Sequence, residues 1–341
     1  MKLSHDFKIA HHSGGADAGS QGRPTQWGGG TAEATGPVTA KHFKRVAQFS
    51  LVFLIFTSCS LKKAAVSAIG GMAWDGQGVL EQEEDVELAR QNTPPLIIAL
   101  DVLRQSHPQE PRYAALVAKA YGQYAYGFYE EDLLRFKATK GEHDQKSLER
   151  AQHFYERGRD VGLTALKRKK SFARSLEKPQ VEFEAALSSF GKKDVSTLFW
   201  TAFSWGGWLN LHRDDPMAII DLPRIEAMID RVIELMPTYE FGAAHAFRGV
   251  MAASRPPVLG GKPEEAKASF EKAIQIEPRY LMTKLLYAQY YAVQVQDKKL
   301  FEQLLREVEI ADVNNFPEQK LANQLAKRRA DLLWGMKEKL F

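Results

Sequence analysis

The chain has 341 residues of ordinary globular composition: 44% apolar, 26% charged and 11% aromatic. Residues 1–59 carry six Lys+Arg and three Asp+Glu, which leaves 40 against 39 in the remainder, and so even a balance argues against a nucleic-acid partner held through its phosphates. A single cysteine, Cys59, excludes an internal disulfide, a cysteine zinc site and an iron–sulfur cluster.

Residues 1–37 are rich in Gly, Ala, Ser and Thr and show no hydrophobic period. They read as a disordered tail or as a stretch ahead of the true translation start, and the place of the targeting signal favours the second. Residues 38–58 are that signal. Lys41, Lys44 and Arg45 form a basic start, and the apolar run from Phe49 to Phe56 is too short to span a bilayer. The run ends in Phe56-Thr57-Ser58-Cys59, which resembles the cleavage site of a bacterial lipoprotein. The resemblance implies that the leader is cut before Cys59 and that the Cys59 sulfur is diacylated. Phe56 stands where that signal usually has leucine. Residues 59–77 then read as a lipid-bearing tether, and 78–341 as one helical domain.

From Glu81 the pattern is helical, punctuated by Pro94, Pro95, Pro108 and Pro111, with Leu96, Leu100 and Leu103 on one stripe. Helices are predicted over 113–129, 147–162 and 163–176, with a polar loop at 137–145. The basic run around Lys167 to Arg174 is read as a solvated face. A short helix at 181–190 precedes an aromatic-rich one at 196–211. Further helices follow at 240–253, 263–277, 301–310 and 317–339. The last carries Leu321, Leu325 and Leu332 on one face beside Lys327, Arg328 and Arg329, which suits the polar cap of a helical stack. No segment holds a useful period-two alternation, so the chain is read as all-α.

The helices repeat. Ala266, Phe270, Ala273 and Pro278 stand at offsets of zero, four, seven and twelve, with Pro263 at a first-turn position and Glu264 and Glu265 beside it. Small, aromatic, small, then proline is the order of the second helix of a tetratricopeptide unit. Ile225, Ile229, Val232 and Pro237 repeat the offsets, and Ala151, Tyr155 and Gly158 repeat the first three. Partner helices are marked by Ala118 with Tyr121, Ala202 with Trp205, and Ala288 with Tyr291. The prediction is a tetratricopeptide-like α-solenoid of about four degenerate helical hairpins with a C-terminal capping helix.

No catalytic constellation survives inspection. His212-Arg213-Asp214 echoes a kinase triplet, but a Gly-rich loop and a DFG are missing. No phosphate-cradling G-x-x-x-x-G-K-[ST] loop, G-x-S-x-G elbow or histidine pair at metal-ligand spacing occurs. The reading is a non-enzymatic protein with no cofactor and no metal. A binding role fits the aromatic helix better. Thr201, Trp205 and Trp208 share one face and Phe199 and Phe203 another, more than one helix seam requires. Trp208 adjoins Gly206 and Gly207, whose bare backbone admits a close neighbour, and Tyr124 lies on a similar stripe with Tyr121 and Phe128. Trp208 and Tyr124 are therefore the candidate lining of an apolar ligand cavity.

The combination PPVLGGKPEEAKASFEKAI, LLYAQYYAVQVQDKKLFEQLLREV and LANQLAKRRADLL resembles the TatT family, the tetratricopeptide-like lipoprotein T components of tripartite ATP-independent periplasmic (TRAP) transporters. The similarity runs from about Trp74 to the C-terminus and is most specific over 236–333. It implies an all-helical lipoprotein anchored in the periplasm, with Cys59 as the lipid-bearing residue. It also implies a homotrimer that binds the transporter's solute-binding protein and takes a hydrophobic substrate. Ser60 after the cysteine is not a retention aspartate, so lipoprotein sorting points to the outer membrane. The competing expectation is a general scaffold for envelope assembly built on the same helical groove.

Overall fold

Asp85 opens the first long helix: its carboxylate accepts from the backbone N–H groups of Glu87 and Leu88, and α1 runs Val86–Ser106. The computed structural model describes residues 68, 70–74, 76 and 78–341, apart from 142–143, 213–214 and 216–217. Cys59, the signal expected before it and the tether expected after it lie outside the described residues, save for parts of 68–77. The described residues form helices and no strands, as the absence of period-two alternation predicts.

Pro94 and Pro95 do not break α1, contrary to their expected role as punctuation. Pro94 has no N–H to give the carbonyl of Arg90, four residues back. Tyr124 repairs the loss: its hydroxyl donates to that carbonyl at 3.2 Å. The buried stripe of α1 is Ala89, Thr93, Ile97 and Leu100, whereas Leu96 is exposed.

Helix α2 (Pro111–Tyr124) carries proline in its first turn. It widens into a π-helical turn at Ala125–Tyr129 and continues as α3 (Glu130–Lys140). Gly141, at φ 75°, ends it, so the polar segment expected as a loop is mostly helix. Helix α4 (Gln145–Leu166) is followed by the short α5 (Lys170–Ser175) and α6 (Gln180–Leu187). The aromatic helix is α7 (Val195–Asn210). Then come α8 (Leu222–Leu235), α9 (Ala243–Ala253) and α10 (Pro263–Ile276). Helix α11 (Leu281–Leu286) opens into a second π-helical turn, Tyr287–Ala292. Helices α12 (Lys298–Ile310) and α13 (Lys320–Leu340) complete the chain.

Sequence neighbours pack in series: α2 on α4, α4 on α7, α7 on α8, α8 on α9, α9 on α10, and α11 on α12. The repeat positions make these seams. Ala151, Ile225, Val232, Ala266, Phe270, Ala273 and Ala288 are all fully buried. Phe270 is the wedge the spacing predicts. Its ring stacks on Tyr287 at 5.0 Å between centroids, and it fills the space a side chain at Gly249 would need. The seam between α4 and α7 is tighter still, since a Cβ on Gly162 would sit 2.0 Å from the Thr201 hydroxyl.

Helix α13 does more than cap the stack. It packs on α11 and α12, as expected, and also on α1 and α3 at the front of the chain. Arg328 pairs with Glu87 at 3.1 Å and with Glu131 at 2.9 Å, and Gln319 donates to Glu81 at 2.9 Å. The last helix thus joins the first, and the array is closed around an interior rather than left as an open groove.

Candidate functional site

That interior holds a cavity of about 530 Å³. Helix α7 supplies one wall through Phe199, Phe203, Gly206 and Asn210, spaced by four, three and four so that they share a face. Phe247, Val250 and Met251 of α9 and Met282, Leu286 and Tyr290 of the α11 segment supply others, and Gln123, Tyr126 and Glu130 come from α2, its π turn and α3. Phe203 is the hub of the aromatic wall. Its ring meets those of Tyr126, Tyr155, Phe199, Trp200 and Phe247 at 5.2 to 6.3 Å between centroids. Both π-helical turns contribute a tyrosine, Tyr126 and Tyr290. Such turns concentrate at functional sites because the extra residue re-aims side chains.

Neither Trp208 nor Tyr124 lies on this wall. Trp208 belongs to the Thr201–Trp205 stripe of α7, which points away from the cavity. Its ring stacks on His212 at 4.0 Å and lies under the Arg159 guanidinium at 5.1 Å. Tyr124 is buried between Phe128, Tyr129 and Phe154, with its hydroxyl committed to Arg90. The glycines beside Trp208 do admit close neighbours, but these are protein rings. A Cβ on Gly206 would meet Phe247 at 2.4 Å, and one on Gly207 would meet Tyr155 at 2.4 Å. Trp205 packs into the core, as its repeat position predicts.

Two polar nodes interrupt the apolar lining. In the first, Lys119 stands between Glu81 at 2.6 Å and Glu240 at 2.8 Å, with the Trp200 ring 5.4 Å from its ammonium. Burial opposes the Lys119 charge, but Glu240 and Glu81 outweigh it and hold the ammonium above its ordinary range. Burial pushes the Glu240 carboxyl up, against the pull of Lys119. The backbone here is unusual. Glu240 and Phe241 have φ of 45° and 60°, and Gly242 follows at 85°. Two successive non-glycine residues in the left-handed region are a strained backbone held by the packing around them.

The second node is Arg329, 1% exposed, though its neighbours Lys327 and Arg328 made it read as part of a solvated cap. Its guanidinium lies 4.4 Å from the Tyr126 ring centre and 4.0 Å from Glu130, which also accepts from the Tyr155 hydroxyl. Sequence reasoning missed both nodes. The one available signal was Glu130 itself, an acid on the apolar side of a tyrosine-rich helix.

These buried groups give the site a pH dependence. Burial raises the hydroxyls of Tyr126, Tyr155, Tyr239 and Tyr280 above the ordinary tyrosine value. Each therefore contributes stability that is complete below a pH of about 10, the unfolded value, and is lost as the pH rises toward the folded one. Lys119, also raised, acts in the same direction. The melting temperature is expected to fall steeply above about pH 10, and absorbance at about 295 nm should show these phenols ionising only with unfolding. Smooth ionisation of all tyrosines in the folded protein would contradict this burial.

A model of the TRAP transporter T-component family matches residues 82–341. The chain belongs to that family. The match covers α1 to α13 and so every helix that lines the cavity. The T-component is also similar to an uncharacterized protein of Treponema pallidum (strain Nichols), with 23% identity over 300 residues, 81% of this chain and 91% of that relative. The family is an accessory of periplasmic transporters and not an enzyme family. Its T-components associate with TRAP transporter partners. Among the described residues no helix is long and apolar enough to cross a membrane, and no group of three or more His, Cys, Asp or Glu side chains could hold a metal ion.

Proposed function

We propose that this T-component is a lipid-anchored periplasmic protein that docks the solute-binding protein of its TRAP transporter and holds a hydrophobic ligand in its cavity. The carrying observation is the cavity: an interior of about 530 Å³, walled by aromatic rings from several helices, is of the size and lining that small-molecule sites have. Membership of the family supplies the transporter. The anchor is Cys59, which follows the basic and apolar leader directly, and sorting by Ser60 favours the outer membrane.

Docking is tested by co-purification. A tagged T-component recovered from envelope extract is expected to carry the TRAP solute-binding protein with it. Recovery without that protein, from an extract that contains it, would contradict docking.

Anchoring has its own expected result. Intact-mass analysis of the membrane fraction should show a chain beginning at Cys59 plus acyl chains, at least two of them, since one gives only marginal binding of about 10⁴ M⁻¹. Cys59→Ala should release the protein to the soluble fraction. An unmodified chain that retains residues 1–58 would refute the anchor.

A further inference from the structure

We infer that the cavity takes a single-chain amphiphile head-outward, with its apolar tail among the aromatic walls and its anionic head held at the mouth by Arg255. The inference rests on the reading of the cavity as a ligand site.

The mouth is where lining residues are also exposed to solvent. Ile219 lines the cavity and is 41% exposed, and Pro256, also in the lining, is exposed. These residues belong to two segments, the one leading into α8 and the one following α9. Both segments carry further exposed apolar side chains, Ile220 at 62% and Val258 at 90%. These described apolar side chains suit the passage of a tail, which a wholly polar, wetted entrance would hold poorly.

Among the described lining residues, Arg255 is the one Lys or Arg side chain. Among the described residues its guanidinium pairs with one carboxylate, that of Glu226 at 3.6 Å, which is longer than a hydrogen bond and partly exposed. It donates no hydrogen bond to a described protein group. A planar fork of N–H donors at an apolar entrance, with most of its donors uncommitted, suits an acidic head that can take two parallel bonds.

The interior fixes the direction. Glu240 and Glu130 both line the cavity, whereas the cations near them are not among the described lining residues: Lys119 lies between two carboxylates, and Arg329 lies behind the Tyr126 ring. An acid drawn inside would meet these carboxylates at low dielectric, whereas at Arg255 it gains a counter-ion and keeps contact with water. Tail in and head out is the arrangement with the least electrostatic cost.

The test uses the full chain with 1-N-phenylnaphthylamine, an uncharged fluorescent probe, bound first. It is then displaced by dodecanoate, dodecyl phosphate, methyl dodecanoate or dodecylammonium. One charge-assisted contact is expected to let an anionic ligand displace the probe at a concentration roughly ten-fold lower than the ester. Arg255→Gln should bring anion and ester to parity without altering the ester, and Glu226→Gln should leave the preference intact. A preference for dodecanoate alone assigns a carboxylate head, and one for dodecyl phosphate alone a phosphate head; either supports the inference. Equal displacement by anion and ester in the unaltered protein, a preference for dodecylammonium, or a preference that survives Arg255→Gln would overturn it while leaving the cavity as a ligand site. A probe that does not bind would overturn the ligand site and this inference together.

Discussion

Phe270→Ala is expected to destabilise the protein by about 3–5 kcal/mol, the cost of emptying a closed core site. The ring is fully buried, stacked on Tyr287, and pressed against the space above Gly249, so three helices lose contact at once. Helix α10 cannot simply move in, because Ala266 and Ala273 already bring the neighbouring backbone close. For a domain of this size the melting temperature should fall by on the order of 10 °C. A fall of a degree or two would mean that Phe270 does not wedge the hairpins apart.

Replacing Arg329 with alanine should cost a similar amount for an electrostatic reason. Truncating one partner of a buried ion pair leaves the other charge uncompensated, typically at about 3–5 kcal/mol. Here the remaining partner is Glu130, on the cavity wall and bonded by Tyr155, and the Tyr126 ring would lose the cation on its face. Arg329→Met with Glu130→Gln should recover much of the loss, since neither charge is then stranded. If the single variant melts like the unaltered protein, Arg329 does not compensate Glu130. If the double variant is no better than the single one, packing rather than charge is the reason for the loss.

The seams of this fold were legible because they are local. Ala266, Phe270 and Ala273 lie on one helix, their spacing names a face, and that face is buried. The same holds for Ile225, Ile229 and Val232 and for Ala151 and Tyr155. The failures are all long-range. Pro94 reads as a break until the hydroxyl of Tyr124, 34 residues on, takes up the stranded carbonyl. Arg329 reads as solvated beside Lys327 and Arg328, because nothing in that run says that α13 turns back onto α3 and seals it.

The lining of the cavity failed to show for the same reason. Periodicity separated the two aromatic faces of α7 correctly, but it has no means to say which face looks inward. Trp208 suggested the ligand face, and the residues of α7 that line the cavity are instead Phe199 and Phe203, with Gly206 and Asn210. The glycine pair did mark a close approach, and the rings of Phe247 and Tyr155 fill it. A site assembled from α2, α4, α7, α9 and α11 leaves no spacing pattern in any one of them.

If the space enclosed by these helices is the ligand site, saturable binding of phenylnaphthylamine should depend on that space being open. Ala246 and Val250 both line it from α9. The unaltered protein is expected to bind the probe saturably, and Ala246→Phe and Val250→Phe should each abolish or sharply weaken that binding while melting cooperatively. Undiminished probe binding in folded variants of both kinds would contradict the claim.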